Sequence, residues 1–186
     1  MRTLPSLALV SIVLLAACAS KPEVRSNTAP AANLSAYRTY AFVPNPGTDR
    51  GGVSTPLTGY FKEAIRREMD ARGYRFVESG DADLLVNFNA NARENVDLRS
   101  TPAPTYGYYG YRGGMYGGFG YGGSEVETVR YKVGTANIDL IDAARKQLVW
   151  EGIIEGRLND KVMKDPQTAV NKAVTEMFLK YPGRSG

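Results

Sequence analysis

Histidine is absent from all 186 residues, and cysteine occurs once. Without an imidazole there is no Ser-His-Asp or Cys-His nucleophilic system and none of the common histidine zinc sites. A lone thiol can form neither an intramolecular disulfide nor a cysteine cluster for metal or redox work. The fold must therefore stand on its core, with no metal or other cofactor expected, and any catalysis would fall to paired carboxylates or a Ser-Lys arrangement. Strong charge of one sign is missing too: the formal net charge is only +4. Its basic residues are scattered, with Arg66 and Arg67 in one place, Arg72 and Arg75 in another, Arg145 and Lys146 in a third. A nucleic-acid partner would call for a denser stripe. Finally, the apolar run Leu4 to Leu14 is shorter than the roughly 20 residues that span a bilayer as a helix.

That run is informative through its context. Met1-Arg2-Thr3 precedes it, and Leu15-Ala16-Ala17-Cys18 follows, which is the order of charged, apolar and small-residue regions in a secretory signal. With cysteine directly after the small residues, the segment resembles the signal of bacterial lipoproteins. A thiol is alkylated far more readily than a hydroxyl, which accounts for cysteine at that position. The resemblance implies removal of residues 1–17, a diacylglycerol thioether on Cys18 and an additional acyl chain such as palmitate on its amine. Each buried methylene contributes about 0.8 kcal/mol and two lipid signals already give stable anchoring, so the membrane becomes the first expected partner. Ala19 is not the aspartate that retains such lipoproteins at the inner membrane, so the expectation is the outer membrane, periplasmic face. The alternative is an ordinary secreted protein whose signal ends beside a cysteine by chance.

From Cys18 to Ser35 the chain is small, polar and proline-containing, a composition that reads as a lipidated flexible tether. A single domain is expected over residues 36–183. It opens with the strand-like Tyr37-Arg38-Thr39-Tyr40-Ala41-Phe42-Val43. Thr55-Pro56 then caps an amphipathic helix with Leu57, Phe61, Ala64, Ile65 and Met69 on one face and Gly73 beyond its end. Tyr74 to Val77 makes a short strand, and a turn at Ser79-Gly80 leads to a longer one. There Leu84, Val86, Phe88 and Ala90 alternate with Leu85, Asn87, Asn89 and Asn91. In the next strand, Val126 to Ile141, Val129, Tyr131 and Val133 share one parity and Ala136, Ile138 and Leu140 the other, which predicts a β-bulge beside Gly134. A polar loop at Asp142 to Lys146 joins it to a hairpin partner carrying Leu148, Trp150, Ile154 and Leu158. Asp165-Pro166 opens a last helix with Ala169, Val170, Ala173, Val174, Met177 and Phe178 at helical spacing, closed by Pro182-Gly183. The order predicts an α+β fold, a mainly antiparallel sheet of four to five strands with two helices packed on one face. Asn87, Asn89 and Asn91 would line the opposite, solvent-facing side.

An insertion at residues 101–124 interrupts the two long strands. Its stretch Tyr106 to Gly123 is half glycine, too costly to order as a packed core. Gly118, Gly120 and Gly123 spell a dinucleotide-type spacing, but no strand precedes and no helix follows to present it to a pyrophosphate. Tyr108, Tyr109, Tyr111, Tyr116 and Tyr121 could instead stack on sugars or other rings. A tolerated low-complexity insertion is the plainer alternative.

Candidates for carboxylate catalysis on a glycan are Asp139 and Asp142, with Asp83, Glu151 and Glu155. Each reads more simply as a hairpin or strand-surface residue, and Trp150, in phase with Leu148 and Ile154, as core.

Several segments taken in order resemble the bacterial lipoprotein family known as domain-of-unknown-function family 4136. They are Tyr37-Arg38-Thr39-Tyr40-Ala41-Phe42, Arg72-Gly73-Tyr74, Ala82-Asp83-Leu84-Leu85-Val86, Gly134-Thr135, Ile138-Asp139-Leu140-Ile141-Asp142 and Leu148-Val149-Trp150-Glu151-Gly152. The closing helix before Tyr181-Pro182 completes them. The resemblance implies an exported, usually lipidated α+β domain and carries no catalytic residues. The expectation is thus a non-enzymatic binding or scaffolding module of the envelope, partnered by another envelope protein or peptidoglycan. Carriage of a small apolar ligand between helices and sheet, or a carboxylate enzyme acting on envelope glycans, are the alternatives.

Overall fold

The computed structural model describes residues 21–30, 32–78, 80–102 and 124–184. Its elements run β1 (Glu23–Thr28), a 3-10 turn (Leu34–Ala36), β2 (Thr39–Phe42), α1 (Pro56–Ala71), β3 (Arg75–Phe76), β4 (Leu84–Pro102), β5 (Ser124–Asp142), β6 (Gln147–Arg157), α2 (Asp160–Lys164) and α3 (Pro166–Phe178). The strands form one sheet in the order β1-β6-β5-β4-β2-β3.

Local chemistry sets the helices. The Thr55 hydroxyl accepts the Thr58 N–H at 3.2 Å, Pro56 occupies the first turn, and Gly73 at φ +77° takes the left-handed conformation that ends α1. The Asp165 carboxylate likewise accepts the Thr168 N–H at 3.0 Å at the start of α3. Phe61, Ala64, Ile65 and Met69 of α1 and Val170, Val174, Met177 and Phe178 of α3 are buried. Links Glu63 to Gln167, Arg67 to Asn171 and Glu68 to Thr175 show the two helices running parallel, side by side.

The α+β class holds, but the sheet is larger and more mixed than four to five antiparallel strands. One added strand is β1, drawn from residues expected to be tether. It pairs antiparallel with β6 from Glu23↔Glu155 to Thr28↔Trp150. Its sequence hides this because an edge strand is held chiefly by backbone hydrogen bonds, and only Val24 packs against the core. The second difference is direction: β2 pairs parallel with both β3 and β4. The crossover through α1 makes β2-α1-β3 a parallel unit, which side-chain alternation alone cannot distinguish from a meander. A third helix, α2, buries no residue.

The expected bulge is also displaced. β4 and β5 stay in register through Ala92↔Gly134, whereas the shift between β5 and β6 falls at Leu140/Ile141. The parity change around Gly134 has another cause. Leu158 sits where a side chain at Gly134 would stand, 2.6 Å from an added Cβ. Past that point the apolar Val133 lies on the sheet face opposite the helices.

Tyr40, Phe61, Phe88, Ile138, Leu140, Trp150 and Phe178 fill the space between sheet and helices with essentially no exposure. Trp150 packs tilted against Phe178 and edge-on against Tyr181, at 5.5 and 5.1 Å between centroids. Its indole N–H meets no acceptor among the described residues, so packing alone holds the ring. Gly152 lies beneath it: an added Cβ would come within 2.5 Å of the indole and 3.2 Å of Met177. Gly152→Ala is therefore expected to overpack the core and destabilise by about 1–3 kcal/mol. Thermal unfolding followed by the fluorescence of Trp150, the single tryptophan, checks this.

Candidate functional site

Alternation along β4, β5 and β6 sends Leu84, Val86, Phe88, Ile138, Leu140 and Trp150 toward the helices and the intervening residues the other way. The cross-strand register then assembles rows on the free face. One row reads Asn87, Asp139, Glu151, Asn27; the next reads Asn89, Asn137, Ile153, Arg25; the third reads Asn91, Thr135, Glu155, Glu23. Asn87, Asn89 and Asn91 thus stand where the sequence placed them, Asn91 exposed and the other two half-buried. The face is knitted by side-chain hydrogen bonds. Asn87 and Asn137 donate to Asp139 at 3.2 and 3.0 Å, Asn27 donates to Glu151 at 3.1 Å, and Thr135 donates to Glu155 at 3.2 Å. Gly47 approaches the Asn89 amide so closely that an added Cβ would strike it, so the loop after β2 borders this face.

Two arginines cross the central strand in opposite directions. Arg93 on β4 reaches over β5 to Glu155 on β6 at 3.0 Å. Arg157 on β6 stacks 4.0 Å over the Tyr131 ring and reaches Asp97 on β4 at 3.5 Å. Val133, their neighbour in register, is buried. Nothing in sequence spacing points to this pair of straps, because it depends on which strands are neighbours.

The carboxylates divide by face. Asp142 shares the parity of Leu140 and faces the helix side, while Asp139 faces the free side, so the two cannot flank one substrate bond. Asp142 accepts the Arg145 N–H at 2.8 Å and the Tyr37 hydroxyl at 2.9 Å. The Arg145 amide, with the Tyr37 hydroxyl also contributing, holds its carboxyl below the usual range, against a smaller effect of burial. In return, burial first and Asp142 second push the Tyr37 phenol up. Asp83 accepts the backbone N–H groups of Arg38 and Thr39 at 2.7 and 2.9 Å and so fixes the start of β2. Burial works against its ionisation, but those amides, the Thr39 hydroxyl and the Arg38 charge outweigh it and leave the carboxyl lowered. Asp139 and Glu151 are directly paired across strands, each already accepting a hydrogen bond from an asparagine. All five candidates therefore have structural partners.

Among the described residues no group of three or more Asp, Glu or Cys side chains is placed to hold a metal ion, and no helix is long and apolar enough to cross a membrane. Among the described residues, surface depressions include one lined by Arg72, Phe178, Tyr181 and Arg184 and another by Lys62, Arg66 and Asp70 on α1. Beyond Val133↔Arg157, where the Leu158 N–H still donates to the Lys132 carbonyl, β4 and β5 continue without a third strand among the described residues, a ribbon from Glu94↔Lys132 to Pro102↔Ser124. Tyr108, Tyr109, Tyr111, Tyr116 and Tyr121 lie outside the described residues, between the ends of that ribbon.

The sequence profile of a family described as Domain of unknown function (DUF4136) matches residues 24–183. No curated protein matches the chain. Among solved structures, a PDZ domain protein from Parabacteroides distasonis is similar with a TM-score of 0.56 and 15% identity, over 88% of this chain and 38% of that one. The chain thus spans well under half of that relative, and the likeness is one of fold. A DUF4136 family protein from Bacteroides thetaiotaomicron has a TM-score of 0.49 at 16% identity, covering 87% of this chain and 96% of its own. A PelC dodecamer from Paraburkholderia phytofirmans has a TM-score of 0.43 at 12% identity, covering 84% and 97%.

Because the Asp83 carboxyl titrates below its unfolded value, its contribution is complete at neutral pH. It is lost as pH falls from the ordinary carboxylate range near 4 through the depressed value of the folded state. Asp83→Asn is expected to lower stability at pH 7 by about 1–3 kcal/mol and to flatten its decline on acidification. Urea unfolding at pH 7 and pH 3 measures both.

Proposed function

This chain belongs to the DUF4136 family, and we propose that it serves as an envelope lipoprotein anchored through Cys18 at the periplasmic face of the outer membrane. There it acts as a non-enzymatic binding or scaffolding module for another envelope component, a protein or peptidoglycan. The observation that carries the reading is the polar sheet face. Helices fill one side of the sheet, while amides and carboxylates spanning four strands line the other, with no helix over them among the described residues. An asparagine amide both donates and accepts, so a flat field of such groups suits a partner rich in hydroxyls and amides and of macromolecular extent. The carboxylates are occupied by structural hydrogen bonds, which favours recognition over turnover. Ligand carriage fits less well, because Tyr40, Phe61, Phe88, Trp150 and Phe178 occupy the space it would need. Tyr108, Tyr109, Tyr111, Tyr116 and Tyr121, carried between the ribbon ends, offer a second contact. Support for the anchor is the match of residues 15–18 to a lipobox and the start of β1 a few residues later.

A photoreactive residue replacing Asn89 or Tyr116 in living cells is expected to trap a discrete protein or cell-wall adduct. Silence at both positions, with a small molecule retained by the purified protein in native mass spectrometry, would shift the reading to ligand carriage. Cys18→Ser is expected to move the protein from the membrane fraction to the soluble periplasmic fraction with Trp150 fluorescence unchanged; a variant that stays membrane-bound would refute the anchor.

A further inference from the structure

The position of β1 sets where the anchor leaves the domain. Pro22 lies against Gly156 on β6, with its Cβ 3.1 Å from where a side chain would start. Four residue steps separate Pro22 from Cys18. At about 3.5 Å each they reach roughly 14 Å, so a lipid on Cys18 holds the bilayer surface close to this end of the sheet. The ribbon leaves by the same end. Its nine residue pairs from Glu94↔Lys132 to Pro102↔Ser124, at about 3.3 Å per residue, extend roughly 30 Å. A ribbon twice as long as the anchor's reach, continuing the strand direction, meets the plane in which the lipidated residue lies.

The chemistry at that end fits such contact. On the helix side of the ribbon, Arg130 and Lys132 stand across from Val96 and Glu94. Both cations are exposed, and Val96 is 56% exposed. From β6 the chain crosses Gly134 through Leu158 and enters α2, whose Lys161 and Lys164 are exposed and whose Met163 is 60% exposed. On that helix side the interspersed acidic residues are Glu94, Asp160 and Asp165, fewer than the four cations, while Asp97, Glu125 and Glu127 have the opposite parity. Short basic segments with exposed apolar side chains gain from anionic headgroups and from shallow insertion between them.

We propose that this end of the domain lies on a phospholipid surface by its helix side, the side of the ribbon that carries Arg130 and Lys132, together with α2. Arg130, Lys132, Lys161 and Lys164 lie on anionic headgroups, with Val96 and Met163 between them. The asparagine face, on the opposite side of the sheet, then points away from the bilayer. The inference rests on the anchoring proposed above, and its test separates the two. The mature chain from Cys18 is coupled through that single thiol to a maleimide-headgroup phospholipid in vesicles of phosphatidylcholine and phosphatidylglycerol. Lysine acetylation is then mapped by mass spectrometry. Lys132, Lys161 and Lys164 are expected to react roughly threefold or more slowly than in the vesicle-free protein, with Lys146 and Lys180 at the far end unchanged. Uniform reactivity, or protection of Lys146 or Lys180 instead, overturns the orientation. Equal protection on pure phosphatidylcholine overturns the role of anionic headgroups. Chemical coupling replaces cellular lipidation, so failure of the anchor itself shows only in the fractionation of Cys18→Ser.

Discussion

The unbroken antiparallel pairing of β4 with β5 is the constraint on which the rest depends. A strand has a period of two, so one continuous register decides for its whole length which side chains meet the helices and which meet solvent. Leu84 to Ala90 and Ala136 to Leu140 bury against α1 and α3, and Asn87, Asn89, Asn91 and Asp139 are carried to the free side. A slip of one residue would put the asparagines under the helices, where each unpaired amide group costs a few kcal/mol. The core thus defends the register, and the register holds the polar face in place. The same pairing continues past its neighbours to make the ribbon.

Much of this was legible in the chain because it is written locally. Thr55-Pro56 and Asp165-Pro166 announce their helices through cap and first-turn chemistry. Spacing of Phe61, Ala64, Ile65 and Met69 fixes the buried stripe of α1, and alternation through Asn87, Asn89 and Asn91 gives the polar face. Other features are written only in partnerships. β1 has a single apolar residue against the core and is a strand because β6 offers it an edge. The parallel placing of β2 follows from the α1 crossover, and the clasp of Tyr37 on Asp142 joins residues far apart in sequence. Gly134 was a true signal read for the wrong event: it marks the close approach of Leu158.

The free face also tolerates a local cost. Asp139 and Glu151 are directly opposed across strands, a pairing of like charges that is unfavourable in a sheet. Asparagines from both sides soften it, with Asn87, Asn137 and Asn27 donating to the two carboxylates. The arginine straps nearby are exposed ion pairs, each contributing no more than about 1 kcal/mol, and they tie β4 to β6 across β5. A surface pre-ordered by such bonds loses little freedom when a partner docks.

The pairing of the first strand with the last has a consequence in time. β1 completes the sheet only by adding to β6, and the Tyr74 hydroxyl, bonded to that of Tyr181 at 2.6 Å, donates to the Leu34 carbonyl at 3.1 Å. Synthesis, which delivers the chain N-terminus first, holds residues 23–28 without their strand partners until the final fifth of the polypeptide has emerged. Non-local pairing of this kind slows folding. The order of the strands therefore leaves this edge of the sheet to be closed last.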